Sequence, residues 1–189
     1  MSDRRRVIYC GVKANVVNIW RGENMNLEAG VIVAIPLFMT HDGKSKLKKE
    51  DCDKLFAFAR VIEEEAGKVL IEIFQKTGNL KENIDGIVSS GLLMKPLYTI
   101  WSGVRKRRWK VVSKTINYDK INDSSYNSIQ LVLGGIDDLR VWSAKDNSEK
   151  PITRGELHNY QLMGIYTPIQ IEMKIIKKLG IDTFFGCVE

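Results

Sequence analysis

An α+β fold, built on a mostly antiparallel or mixed β-sheet with one main amphipathic helix, is predicted by three observations. Strand-like apolar runs outnumber helix-like ones, they tend to arrive as hairpins, and the clearest helical stripe lies over about residues 48–66. At 189 residues the chain can bury a core without a disulfide or metal staple. With 44% hydrophobic and 28% charged residues it matches ordinary globular usage, which excludes disordered, fibrous and membrane-spanning classes. A basic arm over residues 1–6 and a single domain over 7–189 are the expected organisation, because no polar stretch is long enough to separate two domains.

Each element rests on local pattern. Residues 6–21 read as a β-rich opening, with Val12, Ala14 and Val16 alternating. Gly30 to Met39 is a nearly continuous apolar run, the signature of a strand covered on both faces. In the 48–66 stretch, Cys52, Leu55, Phe56, Ala59, Ile62 and Ala66 fall at helical spacing, and Gly67 supplies a stop. Val69, Ile71 and Ile73 alternate as a strand, and 79–95 reads as loop with one short helix. Leu97–Trp101 and Val104–Asn117 form an expected hairpin about Ser102-Gly103, and Ser128–Leu133 with Ile136–Trp142 a second about Gly134-Gly135. The polar stretch before Leu157 is an exposed excursion. Ile169, Ile171, Met173 and Ile175 alternate with Gln170, Glu172 and Lys174, which predicts a half-buried strand.

The net charge of +6 is concentrated in two places. Residues 1–22 hold five cations against Asp3, and residues 95–114 hold seven cations and no acid, so the remainder is mildly acidic. Such asymmetry suits a polyanionic partner. Read as a strand, the second segment sets Lys106, Arg108, Lys110 and Lys114 on one face and Arg105 and Arg107 on the other. Cations on one face would recur about every 7 Å, near the phosphate spacing of a nucleic-acid strand. Trp101 and Trp109 offer rings for base stacking, although burial in the core competes with that role. Arg4, Arg5 and Arg6 form an N-terminal arm able to tether the same anion. Sequence leaves open whether that anion is nucleic acid, a ribonucleoprotein or an anionic membrane surface. The apolar loop around Ile87, Leu92, Leu93 and Met94 suits self-association, so a homo-oligomer is expected.

Catalytic chemistry is not indicated. His41 and His158 lie far apart without Cys or His at ligand spacing, and no phosphate-cradling or nucleophile-elbow glycine pattern is present. No catalytic residue, metal ligand or cofactor is therefore assigned. If the chain were an enzyme, a metal-dependent nuclease using Asp137 or Asp138 would come first, but adjacent strand positions face opposite ways and converge poorly on one ion. Three widely separated cysteines (Cys10, Cys52, Cys187) and an opening, MSDRRRVIYC, without an apolar stretch lead to an expected cytoplasmic or nuclear protein, neither secreted nor transmembrane.

The Arg4–Arg6 arm, the VRKRRWK segment over Val104–Lys110 and a compact β-rich chain are together similar in general character to the matrix proteins of plant-infecting rhabdoviruses. The proline-rich budding motifs of animal rhabdovirus matrix proteins are absent. The resemblance implies a non-enzymatic virion assembly protein that self-associates, condenses ribonucleoprotein and bridges it to membrane, placing the chain in the host cell or the virion. The alternative in the same class of chemistry is an RNA-binding viral accessory protein for movement or silencing suppression.

Overall fold

The computed structural model describes residues 28–181, and the expected opening strands, the Arg4–Arg6 arm, Cys10 and Cys187 lie outside the described residues. The architecture is α+β, with two mixed sheets and a main helix at the end of the described chain. In chain order the elements are β1 (Val31–Pro36), β2 (Phe56–Glu65), β3 (Lys68–Phe74), α1 (Ile84–Val88), β4 (Leu92–Ile100), α2 (Ser102–Arg105) and β5 (Lys110–Lys114). They continue as β6 (Gln130–Leu133), β7 (Arg140–Ser143), β8 (Ser148–Pro151), β9 (Gln161–Leu162), β10 (Ile165–Tyr166) and α3 (Pro168–Leu179). The first sheet runs β10-β4-β3-β2-β1-β5, antiparallel except where β10 joins β4, and the second runs β8-β7-β6-β9 with β9 parallel to β6.

Both faces of the larger sheet are covered, and this explains its sequence. One face presents Val33, Ile35, Ala59, Val61, Ile71 and Ile73 to Ile171, Ile175 and Ile176 of α3 and to Trp101, Val104 and Trp109. The other presents Ile62, Leu70 and Tyr98 to Tyr126, Ile129 and Leu131, and Phe56, Phe58 and Phe74 to Ile87 of α1. All six residues of β1 are buried, as its apolar run predicts.

The expected helix over 48–66 is absent. A short 3-10 turn spans Lys49–Asp53, and Phe56–Glu65 is the longest strand of the fold. A strand apolar on both faces has no polar side to mark its period, so helical and extended spacings fit it equally well. Gly67 ends no helix. Ala66 (φ 50°) and Gly67 (φ 81°) are the two left-handed residues of the tight turn between Glu65 and Lys68, which is why glycine stands there.

The expected terminal strand is α3. Its signals were present in the sequence: Thr167 caps the N-terminus by accepting a hydrogen bond from the Gln170 amide, Pro168 occupies the first turn, and Gly180 (φ 63°) closes the C-terminus. Ile171, Glu172, Ile175 and Ile176 form the buried helical stripe, while Met173, expected to share a face with Ile171, is 52% exposed.

The hairpin expected from Leu97 to Asn117 also fails, because β4 and β5 occupy distant places in the sheet and β5 pairs with β1. Ser102-Gly103 instead opens the single turn of α2. There Trp109 packs so closely that a Cβ on Gly103 would come within 2.7 Å of its ring. The β6–β7 hairpin forms, with Leu133 opposite Arg140, and the polar stretch after it folds back as the exposed β8.

This reassignment separates two adjacent positions. Ile171→Asp is expected to abolish cooperative folding, because it sets an unpaired charge among Val33, Ile71 and Ile175. Met173→Asp should change unfolding free energy by no more than about 1 kcal/mol, the range of helix propensity at an exposed site. Urea unfolding of the two variants checks both; equal destabilisation would restore the strand assignment.

Candidate protein-binding surface

The cation-rich segment over 95–114 is not an extended row. Arg105 ends α2, Lys106 caps it, and Arg107 adopts a left-handed backbone (φ 57°) that breaks any alternation before β5 begins at Lys110. Arg105, Lys106 and Arg107 are exposed. Arg108 points into the protein and is 3% exposed.

Arg108 and Glu172 form the hub of this region. The guanidinium Nε donates to Glu172 Oε1 at 2.7 Å and Nη2 donates to Oε2 at 2.5 Å, a two-point grip on a carboxylate that is itself fully buried. Trp109 Nε1 donates to the same Oε1 at 2.9 Å, and Arg108 Nη2 also donates to the Thr40 carbonyl at 2.9 Å. One buried cluster thus ties α3, the turn before β5 and the loop after β1 together.

That loop carries four further cations, of which Lys48 and Lys49 fall in the stretch expected to be helical. Leu47 N–H donates to the Arg107 carbonyl at 2.9 Å, which lays the KSKLKK stretch beside the Arg105–Arg107 turn. Lys44, Lys46, Lys48 and Lys49 are exposed, and among the described residues none of these lysines, nor Arg105, Lys106 or Arg107, forms a salt bridge. Asp42 shapes the loop: its Oδ1 accepts from the amides of Lys44 at 2.9 Å and Ser45 at 3.1 Å, and those hydrogen bonds hold its pKa down at about 2. The result is a surface of seven cations from two loops.

The other expected site residues are dispersed. Lys110 is half-buried on β5, and Lys114 pairs with Glu28. Trp101 and Trp109 are 5% and 2% exposed in the core, so neither ring is offered to a base. Asp137 and Asp138 pair at the surface with Arg154 and Arg140, and no group of three or more His, Cys, Asp or Glu suited to a metal occurs among the described residues. On the opposite face of the larger sheet Arg60 Nε donates to Glu72 Oε1 at 2.7 Å and its guanidinium reaches the Asp123 carbonyl. Burial pushes the Glu72 carboxyl above its ordinary pKa against the pull of Arg60. This second buried pair anchors the segment that carries Tyr118 and Tyr126 and is structural.

The described residues thus present an exposed cationic surface beside the larger sheet. Residues 28–139, more than half of the chain, match the family model described as Immunity protein 26, and the chain belongs to that family. No curated protein and no solved structure matches it. The family is one of bacterial toxin immunity, whose members are typically non-enzymatic inhibitors, and the chain is not an enzyme.

Membership corrects the functional expectations drawn from sequence. A viral matrix protein, virion assembly, an RNA-binding accessory protein and a metal-dependent nuclease are all displaced. So are the nucleic-acid and ribonucleoprotein partners expected with them, since immunity proteins bind cognate toxins. The expected host-cell and virion locations fall with the viral reading. No helix among the described residues is long and apolar enough to cross a membrane.

Two outcomes test the geometry. Glu172→Ala strands Arg108 in the interior and should cost about 3–5 kcal/mol, whereas replacing Arg108 and Glu172 together by Met and Leu should recover most of that loss; urea titrations in which Glu172→Ala costs under about 1 kcal/mol would contradict the hub. Asp42, with its folded-state pKa depressed, stabilises the loop above its ordinary value of 3.8 and loses that contribution as pH falls through about 2. Protection of the Lys44 and Ser45 amides, relative to the exchange rates of an unstructured chain at each pH, should therefore fall over that window, and constant protection would mean the carboxylate does not order the loop.

Proposed function

We propose that this chain binds a cognate toxin protein and holds it inactive, docking through the cationic surface formed by the 44–49 loop and the Arg105–Arg107 turn. The observation that carries the reading is the assembly of seven exposed cations, without salt bridges, on a member of a toxin-immunity family. Both loops fall within the matched residues 28–139. An excess of positive charge raises the encounter rate with an oppositely charged face and disfavours wrong partners. The toxin face that fits is acidic.

The mechanism is steric. A docking interface of about 1,600 Å² in total would cover a functional site or prevent its assembly without any chemistry by the immunity protein. Arg108 and Glu172 position the surface from beneath without reaching the partner, and they keep the two loops at a fixed separation. A preformed surface loses less entropy on binding than a mobile one.

The test is protection from toxicity. Bacteria expressing toxin domains from the source genome are scored for growth with the wild-type chain and with Arg105→Glu, Lys106→Glu and Arg107→Glu combined. Wild type should protect against one toxin. The triple variant should fold with an unchanged melting midpoint yet bind that toxin at least about tenfold more weakly, chiefly through a slower association rate that rising salt also imposes on the wild type. Full protection and unchanged association by the folded triple variant would overturn the proposed docking surface.

A further inference from the structure

A second groove, of about 460 Å³, lies where the two sheets end. Lys174, Lys177 and Lys178 of α3 and Lys95, Met94 and Leu97 of β4 line it. No acidic residue lines it, and among the described residues none of the four lysines forms a salt bridge. Lys174, Lys177 and Lys178 follow each other at helical spacing, so α3 presents them along one side. The Lys174 ammonium rests over the Tyr166 ring, 4.4 Å from its centre.

The groove also borders two strand edges. Gln161 belongs to β9, the last strand of the smaller sheet, and Tyr166 to β10, the last strand of the larger. These strands carry Leu162, 61% exposed, and Ile165, 50% exposed. Each is next in sequence to a groove-lining residue and, at an adjacent strand position, points to the other side of its strand, so neither side chain lines the groove.

We infer that this groove binds an acidic, partly apolar extended segment of a protein, supplied by the toxin. The identity of that partner rests on the proposed function; the groove itself does not. Charge complementarity selects the occupant: four lysines beside the partly exposed Met94 suit a segment in which carboxylates alternate with large apolar side chains, so that one set meets the ammonium groups while the other covers Met94. A concave site of this size takes a single extended segment, whereas a lipid surface is met by protruding groups. The groove's α3, β9 and β10 residues lie beyond the family match, which ends at 139.

The probe is a fluorescein-labelled peptide of about twelve residues alternating Glu or Asp with Leu or Phe, with a control in which every acid is replaced by Gln or Asn. Anisotropy titrations use the full chain. The acidic peptide should bind and the neutral one should not. Lys174→Gln combined with Lys177→Gln should weaken binding at least about tenfold, as should Lys95→Glu on β4, which leaves the helix untouched. Arg105→Glu, Lys106→Glu and Arg107→Glu combined should leave peptide binding unchanged, which separates the groove from the loop surface. Absence of binding, equal binding of both peptides, or loss caused equally by the loop variant would overturn the assignment. Retention by phosphatidylglycerol vesicles that the lysine substitutions abolish, without peptide binding, would overturn it in favour of lipid. Protection from toxicity that persists while peptide binding is absent would remove the groove and keep the toxin reading; peptide binding without protection would do the reverse.

Discussion

The contact between Arg108 and Glu172 decides how the most basic stretch of this chain is used. The net energy of such a buried pair is small, because desolvation offsets most of the attraction, but removing either partner is expensive. Its value here is geometric. Arg108 can reach Glu172 only if α3 crosses the larger sheet with Glu172 facing inward and if the chain turns at Arg107. Once those conditions hold, Arg105, Lys106 and Arg107 are left in solvent, and the Arg107 carbonyl is placed to receive Leu47 N–H. The exposed cations are a consequence of the buried one.

The same logic recurs across the sheet. Arg60 and Glu72 are direct partners on β2 and β3, and their side chains lie on the face opposite α3, where Arg60 also contacts the Tyr118 ring at 4.8 Å and the Asp123 carbonyl. Each face of the larger sheet therefore holds one Arg–Glu pair, and each pair fastens a non-sheet segment to it. Apolar packing alone is non-directional. The ion pairs specify which residue of α3, and which residue of the 118–126 segment, sits over the sheet.

Much of the framework was legible in the sequence. β1, β3, the β6–β7 hairpin and the short helix after residue 79 follow from alternation, unbroken apolar runs and turn residues, and so does the α+β class. What failed was the assignment of period where two periods fit. Phe56–Ile62 is apolar at nearly every position because both sides are buried, so Phe56, Ala59 and Ile62 mimic a helical stripe. Ile169–Ile175 alternates by chance, because Glu172, polar by type, belongs to the buried stripe and only its pairing with Arg108 makes that burial tolerable. In that second case the caps were the better guide: Thr167, Pro168, Gln170 and Gly180 bracket a helix whatever the pattern between them.

The candidate surface was half legible for a related reason. Composition locates cations along the chain but says nothing of which remain in water. The run Lys106, Arg108, Lys110, Lys114 reads as one functional row, yet its members end as an exposed cap, a buried hub, a half-buried strand residue and a partner of Glu28. The KSKLKK stretch, only the end of which falls in the expected helix, joins Arg105–Arg107 through a backbone hydrogen bond that no local pattern announces. A polyanion-binding row and a protein-docking surface look alike at the level of charge. They differ in three dimensions, because a row tracks a repeating backbone whereas a patch drawn from two loops 56 positions or more apart, Lys49 to Arg105 at the nearest, has no repeat to follow. A patch of that kind complements a single folded face, which is what a toxin presents to the protein that silences it.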